Sequence, residues 1–435
     1  MPHEPHPARL AALHAARTLQ SAGHTAYFAG GCVRDELLGL VPTDYDIATD
    51  ARPDTVQDLF RSTAHVGVSF GVVLVRLTPR DVKGLKSKQT VEVATFRADG
   101  DYADRRRPDS VTFADEHADA ERRDYTINAM FLDPLAEPVG ADAAGRLIDH
   151  VGGLDDLRAG LVRAVGEPKD RLDEDHLRAL RGVRFAARLG FEIEPATRAA
   201  IAGDAAGLEG VSRERIGDEV RRMLAHPSRA RACGLVRALA LEQAILSPAP
   251  IERELIRVAA MPPDASVPAA LAAWLADRGD PVEHSAGGVQ RRLCLSNDEA
   301  AATLAILDTA GRARHDWAML SIAHRKRLAA RAGFEAAMVL VAADEPEHAE
   351  AVAREVRELE RTHSGLAPEP LITGADLVRA GLKPGPVFGR ILDAVYDAQL
   401  EGRVDTPKQA LDMAASLAAS LGSGGSSAGS VPSEG

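Results

Sequence analysis

The sequence predicts a mixed α/β domain over residues 1–150 and an almost entirely helical chain from there to residue 415. Two runs rich in Val and Thr, "VGVSFGVVLVRL" and "TVEVATFR", lie in the first part and are typical of strands. From about Gly153 onward, apolar residues recur at helical spacing and β-branched runs are few. A length of 435 residues suggests roughly two to four domains.

The strands and helices of the first part follow in order. "TAYFAGG" predicts a short strand that ends in glycine, and "CVRDELLG" predicts a helix closed by Gly39. "DYDIAT" predicts a second strand, and "RPDTVQDLFR" a helix with Pro53 near its start. In the second part, "EDHLRALRGVRFAARLG" and "SRERIGDEVRRMLAHP" each begin at an acidic or Ser cap and end at Gly or Pro, as helices do.

Composition limits the classes of function. A net charge of −12 argues against nonspecific coating of nucleic acid by the whole surface, but it is compatible with a local basic groove. The three cysteines form no CxxC pair, which indicates a reducing compartment without disulfides or a zinc cluster. We find no secretory h-region and no apolar run of membrane-spanning length, so we expect a cytoplasmic protein with no membrane partner.

Asp44 and Asp46 stand one residue apart in "DYDIAT". On a strand, side chains at i and i+2 share a face, so the two carboxylates would lie side by side. Such like charges favour a bound cation, and hard oxygen ligands favour Mg²⁺. The alternative is a solvated strand or turn. Glu92, in the apolar run "TVEVATFR", is either a charge that protects an edge strand or a third carboxylate facing the metal.

Gly30 and Gly31 precede the first predicted helix and would let backbone approach a phosphate closely. Arg34 could reach the same phosphate as a charged fork. The alternative is a turn that needs a glycine, with Arg34 on the surface.

The motif "RRDYTINAM" offers Arg123 as a phosphate fork, Asp124 as an acceptor for a ribose hydroxyl, and Asn128 as an amide. The alternative is an Arg–Asp cap on a helix that enters the core. The charged segment 98–121 before this motif fits either a solvated loop or a mobile lid.

Asp175 and Arg178 in "EDHLRALRGVRF" are three residues apart and would be neighbours on one helical face. They fit a surface ion pair. They also fit a reader of bases, because cytosine and adenine each present an amino donor beside a ring-nitrogen acceptor, whereas uracil and guanine place a carbonyl where the amine would be. The arginines that follow would form a cationic stripe suited to triphosphate or RNA backbone, namely Arg178, Arg181, Arg184 and Arg188.

These motifs, in this order, resemble the tRNA nucleotidyltransferase/poly(A) polymerase family, in particular its class II bacterial members. The motifs are "GGCVRDELLG", "DYDIAT", "VEVATFR", "RRDYTINAM" and "EDHLRALRGVRF". The resemblance covers residues 25–225 densely and returns at "PLITGADLVRAGLKPGPVFGRILDAVYDAQLEG". It implies an α+β head of the polymerase-β superfamily followed by all-α neck, body and tail. We place the head at 1–150, the neck with its base-reading helix at 151–230, a tRNA-binding body and tail at 231–415, and a disordered Gly/Ser-rich end at 416–435.

The resemblance also implies a role for each motif residue. Asp44 and Asp46 match the catalytic, metal-binding pair, and Glu92 matches a third carboxylate. Nucleotide binding is implied for the other matched positions: Gly30, Gly31, Arg34, Arg123, Asp124, Asp175, Arg178, Arg181 and Arg184. Segment 98–121 corresponds to the flexible loop associated with the change from C to A addition.

The implied reaction transfers CMP and AMP from CTP and ATP to the 3′ end of tRNA with Mg²⁺, without a stable protein partner. An enzyme that adds only A or only CC, or a poly(A) polymerase, is the alternative within the family. A noncatalytic RNA-binding protein that kept the fold, or an enzyme acting on a small molecule, is the alternative outside it. "RHDW" contains a His–Asp pair without further metal ligands, which we interpret as solvated helix residues.

Overall fold

The computed structural model describes residues 6–65, 71–99, 111–137, 145–246, 254–279 and 282–423. The chain divides into two compact units. The first comprises Met1–Pro250 with Arg291–Cys294, and the second comprises Ile251–Gln290 with Leu295–Gly435. The boundaries at 150 and 230 fall inside the first unit and stay predictions.

The first unit is built on a mixed sheet. Its strands, in the described residues, are β1 Ala26–Ala29, β2 Asp46–Thr49, β3 Thr63–His65, β4 Val72–Leu77, β5 Gln89–Thr95, β6 Arg97–Asp99, β7 Val111–Phe113, β8 Phe131–Asp133 and β9 Arg146–Ile148. Seven of these described strands form one sheet in the order β3-β4-β5-β2-β1-β8-β9, in which β2 and β5 are parallel and the other neighbours antiparallel. The predicted α+β head is confirmed.

Alternating burial explains why the two Val-rich runs form central strands. In β5, Val91 and Val93 are buried while Glu92 between them is exposed. In β4, Val73 and Val75 alternate with less buried residues in the same way. This period of two places one face of β4 and β5 in the core and leaves the other face less buried.

Helices of the first unit cover the sheet and continue beyond it. They are α1 Pro7–Ser21, α2 Gly31–Leu37, α3 Pro53–Leu59, α4 Glu116–Glu121, α5 Gly153–Ala159, α6 Pro168–Glu174, α7 Leu177–Leu189, α8 Pro195–Gly203, α9 Arg213–Leu224, α10 Arg229–Ala238 and α11 Glu242–Ile245, with 3-10 turns at Thr126–Asn128 and Ala205–Gly210. The sequence analysis did not identify α1. Its buried face consists of four alanines and Leu19, which give a weak hydrophobic pattern.

The segment predicted to be all-α also contains a short parallel ladder, which corrects the prediction. β10 Leu161–Val162 pairs with β11 Glu192–Ile193. Gly160 and Gly190 cause this departure, because their left-handed conformations (φ +67° and +74°) end α5 and α7 and send the chain directly into the two strands.

The charged segment 98–121 is ordered where the structure describes it. β6 and β7 pair antiparallel on either side of residues 100–110, which lie outside the described residues. α4 then begins at Glu116, and the carboxylate of Asp115 before it caps the helix by accepting a hydrogen bond from the Ala118 amide at 3.0 Å. The alternatives of a solvated loop and a mobile lid fall largely on residues outside the described part of the chain and stay predictions.

The second unit is helical throughout its described residues. Its helices are α12 Ile256–Ala260, α13 Val267–Arg278, α14 Val282–Leu293, α15 Asn297–His315, α16 Ile322–Ala329, α17 Phe334–Asp344, α18 Pro346–Glu360, α19 Gly374–Arg379, α20 Val387–Leu400 and α21 Pro407–Ser423, with a 3-10 turn at Trp317–Met319. The end of α14 belongs to the first unit. The predicted pair His315 and Asp316 lies exposed at the end of α15.

The C-terminal prediction needs one correction. Residues 416–435 were predicted to be disordered, but α21 extends to Ser423. Its apolar positions Leu411, Ala414 and Leu417 pack with Ile391 and Val395 of α20, and this packing carries the helix into the region of low complexity. Residues 424–435 lie outside the described residues.

The sequence predictions also concerned disulfides and membrane-spanning helices. The three cysteines are free. In the described parts of the chain, none of the helices combines the length and apolar character needed to span a bilayer.

Candidate active site

A cleft of about 460 Å³ opens in the first unit. Every site residue predicted from the sequence except Glu92 lines it. The lining residues are Gly30, Gly31, Arg34, Asp35, Thr43, Asp44, Asp46, Arg122, Arg123, Asp124, Asn128, Asp175, Leu177, Arg178, Arg181, Arg184, Phe185, Arg188 and Arg215. The fold therefore brings together motifs that are up to 185 positions apart in the chain, from Gly30 to Arg215.

Asp44 and Asp46 lie on the solvent side of the chain, on either side of a buried tyrosine. Tyr45 is 3% exposed, and its hydroxyl donates to Glu36 Oε1 at 2.6 Å. β2 begins only at Asp46, so the predicted strand started two residues too early. The predicted alternation still holds, because anchoring Tyr45 in the core leaves both carboxylates in the cleft.

Glu92 lies next to this pair on the neighbouring strand. Asp46 of β2 and Glu92 of β5 are directly paired in the parallel ladder, and both are exposed. Loss of solvent in the cleft raises the pKa of Asp46 to about 7, and the negative charges of Glu92 and Asp44 add to the shift. The structure thus confirms that Glu92 is near the pair, but it does not place Glu92 in the lining of the cleft.

The acidic residues fit a hard divalent cation of the kind that takes part of its shell from water or substrate. Two carboxylates that repel each other supply oxygen ligands and negative charge. The described residues hold no group of three or more His, Cys, Asp or Glu side chains in a ligating arrangement. Water and substrate phosphates are common sources of the further oxygen ligands that such a cation takes.

Gly30 occupies a position that only glycine fits. Its backbone has φ +74° and ψ −126°, and a Cβ there would lie 3.0 Å from Arg123 Nη1 and 3.6 Å from the Asn128 carbonyl oxygen. Arg123 passes directly over this backbone and donates to Asn128 O at 3.1 Å. The glycine thus joins the turn before α2 to the "RRDYTINAM" motif.

Arg34 is buried, so the alternative that placed it on the surface is wrong. It is 2% exposed, and its Nη1 donates to Asn128 Oδ1 at 2.5 Å. Nε and Nη2 donate to Asp35 Oδ1 at 2.8 and 2.7 Å. These bonds hold the guanidinium in one orientation at the wall of the cleft.

Arg123 is fixed from the opposite side by a carboxylate that the sequence analysis did not single out. Asp119 of α4 is 1% exposed and accepts from Arg123 Nη2 at 3.0 Å and from Arg122 Nη2 at 2.6 Å. Burial alone would raise the pKa of Asp119, but the two cations hold it below its usual value. The two arginines are therefore held beside each other.

Asp124 is at the centre of a hydrogen-bond network. Its Oδ1 accepts from the Tyr125 amide at 2.8 Å and from Asn128 Nδ2 at 3.1 Å, and its Oδ2 accepts from Arg181 Nε at 2.7 Å. Arg181 Nη2 forms an ion pair with the same oxygen at 2.6 Å. Burial opposes ionisation, yet the charge of Arg181 and these bonds keep the pKa of Asp124 below its usual value. Asp124 is therefore an ionised carboxylate that accepts three hydrogen bonds and is paired with Arg181.

Asp175 does not lie on the same helix as Arg178, which corrects the predicted helical face. α6 ends at Glu174 and α7 begins at Leu177, and Asp175 between them has extended backbone (φ −152°, ψ 99°). Its Oδ1 accepts from the Leu177 amide at 3.1 Å, which is the physical reason for the break. Its Oδ2 accepts from Arg215 Nη2 of α9 at 2.6 Å.

Arg178 is anchored by other partners. Its Nη1 donates to Glu174 Oε2 at 2.5 Å and to the Arg171 carbonyl at 2.7 Å, and its Nη2 donates to the Arg122 carbonyl at 3.1 Å. It is 8% exposed. Asp175 and Arg178 both reach the cleft, and each is held there by a separate set of bonds.

The predicted arginine stripe on α7 is present, but each arginine has a carboxylate partner. Arg181 pairs with Asp124, Arg184 with Glu219 at 2.6 Å, and Arg188 with Asp35 at 3.2 Å. Two of these partners, Glu219 and Asp35, were not identified from the sequence. The one sequence signal for such partners is the regular spacing of arginines in "RALRGVRFAAR", because cations held close together need opposite charges nearby.

Phe185 is a further residue that the sequence analysis missed. Its ring is 5% exposed and lies beneath three guanidinium groups, with centroid distances of 5.2 Å to Arg34, 5.4 Å to Arg181 and 4.4 Å to Arg184. The ring face attracts cations and lets them lie close together. Nothing in the local sequence distinguished this phenylalanine from an ordinary core residue.

A cleft that sets two metal-attracting carboxylates at the start of the central strand of a mixed sheet against a wall of arginines is typical of a nucleotidyltransferase. Family models support this class in three segments. "Poly A polymerase head domain" matches residues 26–163, "Probable RNA and SrmB- binding site of polymerase A" matches 190–249, and tRNA nucleotidyltransferase domain 2 matches 278–415. The protein is therefore an enzyme of this class.

Comparison with individual proteins defines the family. A CCA-adding enzyme from Lactiplantibacillus plantarum is 33% identical over 409 residues, which is 91% of this chain and 92% of the relative. One from Bacillus subtilis is 43% identical over 214 residues, about half of each chain (49%). The structure of a Bacillus stearothermophilus CCA-adding enzyme in complex with CTP superposes with a TM-score of 0.73 and 28% identity, covering 96% of this chain and 99% of that one. The chain belongs to the tRNA nucleotidyltransferase/poly(A) polymerase family, as the sequence motifs predicted, and family membership implies a divalent metal.

Proposed function

We propose that this protein is a cytoplasmic enzyme that adds CMP and AMP, from CTP and ATP, to the 3′ end of tRNA and so completes or repairs the CCA end. One observation carries the proposal. Asp44 and Asp46, which suit a metal, and Asp175 and Arg178, which suit an amino-bearing base, line the same cleft. The likeness to the L. plantarum CCA-adding enzyme over nearly the whole of both chains supports the same activity.

Asp44 and Asp46 would hold Mg²⁺, with Glu92 beside them as a further negative charge. When bound, Mg²⁺ neutralises triphosphate charge and lowers the pKa of an attacking 3′-hydroxyl. The rest of the catalysis we assign to positioning, since phosphoryl transfer needs little covalent help from a protein.

The triphosphate would lie along Gly30, Gly31, Arg34 and Arg123. The missing Cβ at Gly30 lets Arg123 lie directly over the backbone, and the guanidinium groups of Arg34 and Arg123 are already oriented by Asp35 and by the Asn128 carbonyl. Arg181 and Arg184 extend this cationic wall along α7.

Asp124 is assigned to the sugar of the incoming nucleotide. A carboxylate offers about four acceptor sites, and Asp124 accepts three hydrogen bonds, with Arg181 Nη2 lying 2.6 Å from Oδ2. A ribose hydroxyl would take the remaining acceptor site on Oδ2 in place of Arg181 Nη2. Arg181 Nη2 would then be available to the triphosphate.

Asp175 and Arg178 are assigned to the base. Each oxygen of Asp175 accepts one hydrogen bond, from Leu177 or Arg215, and keeps one lone pair for the amino group of cytosine or adenine. Arg178 would donate to the neighbouring ring nitrogen. Uracil and guanine would bring a carbonyl oxygen toward the Asp175 carboxylate and be repelled.

The head is assigned to residues 1–150, the base-reading neck to 151–230, and tRNA binding to the helical body and tail at 231–415. Labelled CTP and ATP, supplied with Mg²⁺ to tRNA transcripts that end before CCA, after CC, or complete, test the activity. We expect incorporation on the first two and none on the third. No incorporation on any transcript contradicts the proposal, and incorporation of ATP alone on the CC-ended transcript indicates an A-adding enzyme instead.

A further inference from the structure

The second unit contains a cavity of about 510 Å³ that is separate from the residues of the cleft. It is formed by α16, by the segment after α18, and by the turn between α20 and α21. Its polar lining includes Lys326, Thr362, His363 and Ser364. Thr362 and His363 are exposed, so the cavity has an opening to solvent.

Lys326 is the unusual member of this lining because it is 1% exposed. Its Nζ donates to Thr362 Oγ1 and to Ser364 Oγ, both at 2.7 Å. The Thr362 hydroxyl in turn donates to the Leu359 carbonyl at 2.6 Å, and the Ser364 hydroxyl to the Leu400 carbonyl at 3.3 Å. Because both hydroxyl protons are committed to carbonyl groups, the direction of the whole network is fixed.

An ammonium group has three N–H donors, and the described residues supply acceptors for two of them. Burial lowers the pKa of the Lys326 amine, and no carboxylate of the described residues contributes an opposing shift. Two carboxylates also line the cavity: Glu401 accepts from Arg403 at 2.7 Å, and Asp405 is exposed to solvent. A buried cation without a counterion is unfavourable unless something else supplies the negative charge.

We propose that this cavity is a binding site for a phosphate group, which Lys326 holds through its third N–H with His363 at the entrance. A phosphate oxygen offers the third hydrogen-bond acceptor and the negative charge that the Lys326 ammonium group lacks. Lysine is a common phosphate ligand. The phosphate comes either from an RNA backbone or from free phosphate or a small phosphorylated molecule. The two sources present the same chemistry to Lys326.

Equilibrium dialysis of the full chain with radiolabelled inorganic phosphate, at constant ionic strength, tests the site. Lys326→Met keeps the length and removes the charge. Lys408→Met removes an exposed lysine of the same unit that does not line the cavity, and serves as the matched control. We expect the wild type and K408M to bind one equivalent of phosphate more than K326M, while phosphate bound at the arginine cleft stays the same in all three. Equal numbers of bound phosphates in wild type and K326M overturn the proposal.

A second variant covers the case in which K326M does not fold. Thr362→Val combined with Ser364→Ala keeps the ammonium and removes the two hydroxyls that orient it. We expect phosphate affinity at this site to fall about tenfold or more. Unchanged affinity in this double variant overturns the proposal as well.

Kinetics on a tRNA transcript that lacks CCA decide the source of the phosphate. Of the experiments on this cavity, only this one rests on the proposed function. An RNA backbone phosphate predicts a KM for tRNA about tenfold higher in K326M with kcat unchanged, because one phosphate contact is lost. A small phosphorylated ligand predicts equal KM in K326M and K408M. Absence of CCA addition by the wild type would defeat the proposed function and leave the dialysis result unaffected.

Discussion

Asp124 and Arg181 form an ion pair at 2.6 Å that joins the "RRDYTINAM" segment to α7. The same carboxylate holds Asn128, and Asn128 holds Arg34. One chain of contacts therefore connects the residue assigned to the sugar with two arginines assigned to the triphosphate. Several expected outcomes depend on it.

A double-mutant cycle with Asp124→Asn and Arg181→Met measures this ion pair. We expect a coupling free energy of about 1–3 kcal/mol in the unfolding of the first unit, because removal of either partner alone leaves a largely buried charge. Chemical denaturation of the four proteins gives the value. A coupling below about 0.5 kcal/mol would contradict the role of this pair in holding the cleft together.

Gly30→Ala tests the close approach of Arg123 to backbone. Gly39→Ala is a matched control, because Gly39 also has positive φ (+69°) but nothing lies within 4 Å of a Cβ there. Both variants should lose about 1 kcal/mol or more of stability from the strained backbone. We expect only G30A to raise the KM for CTP and ATP, since only there must Arg123 move. Equal KM values in both variants would show that Arg123 does not depend on Gly30.

Asp46→Ala tests the metal-binding assignment. We expect CMP and AMP transfer to fall by at least about 100-fold, with the fold retained, because Asp46 is exposed and its removal relieves repulsion with Glu92 and Asp44. Asp58→Ala, which changes an exposed aspartate of α3 outside the cleft, should keep its activity. Transfer by D46A at the rate of D58A would remove Asp46 from the catalytic centre.

The pH dependence of metal-free protein gives an independent readout of Asp46. Its folded-state pKa of about 7 lies above the unfolded value near 3.9, so the folded state binds more protons between these values. Stability should therefore fall as pH rises from about 4 to about 7, and Asp46→Asn should lose this part of the decline. Thermal unfolding of wild type and D46N in a chelator, across this pH range, measures the difference. A difference in Tm that does not change with pH would contradict the raised pKa.

Base selection provides a test of Asp175 and Arg178. We expect Asp175→Ala and Arg178→Ala to incorporate UMP and GMP alongside CMP and AMP, because Asp175 repels the carbonyl oxygen of these bases and Arg178 faces their ring N–H group. Asp173→Ala, on the preceding helix and outside the cleft, is the control. Competition between labelled nucleotides gives the ratios of kcat/KM. Discrimination against UTP and GTP that survives in both variants would refute the base-reading assignment.

The sequence predicted the head and most cleft residues because their signals are local. A glycine before a short helix indicates the turn that precedes α2, and alternating Val residues indicate the strand β5. Both features depend only on residues that are close together in the sequence. Burial of Arg34 was missed because its partner Asn128 lies 94 positions away. The break between α6 and α7 at Asp175 was missed because it depends on two contacts of the Asp175 carboxylate, with the Leu177 amide and with Arg215. The spacing of apolar residues does not reveal such contacts. Phe185 was missed because its role depends on three arginines meeting above one ring.

The central claim is that this cleft adds C and A in a defined order and then stops. Sequencing of the 3′ ends made from a tRNA transcript that lacks CCA, in the presence of CTP, ATP and Mg²⁺, tests it directly. We predict products that end in CCA and grow no further when both nucleotides are in excess. Long runs of A on the same transcript would contradict CCA addition and identify the enzyme as a poly(A) polymerase.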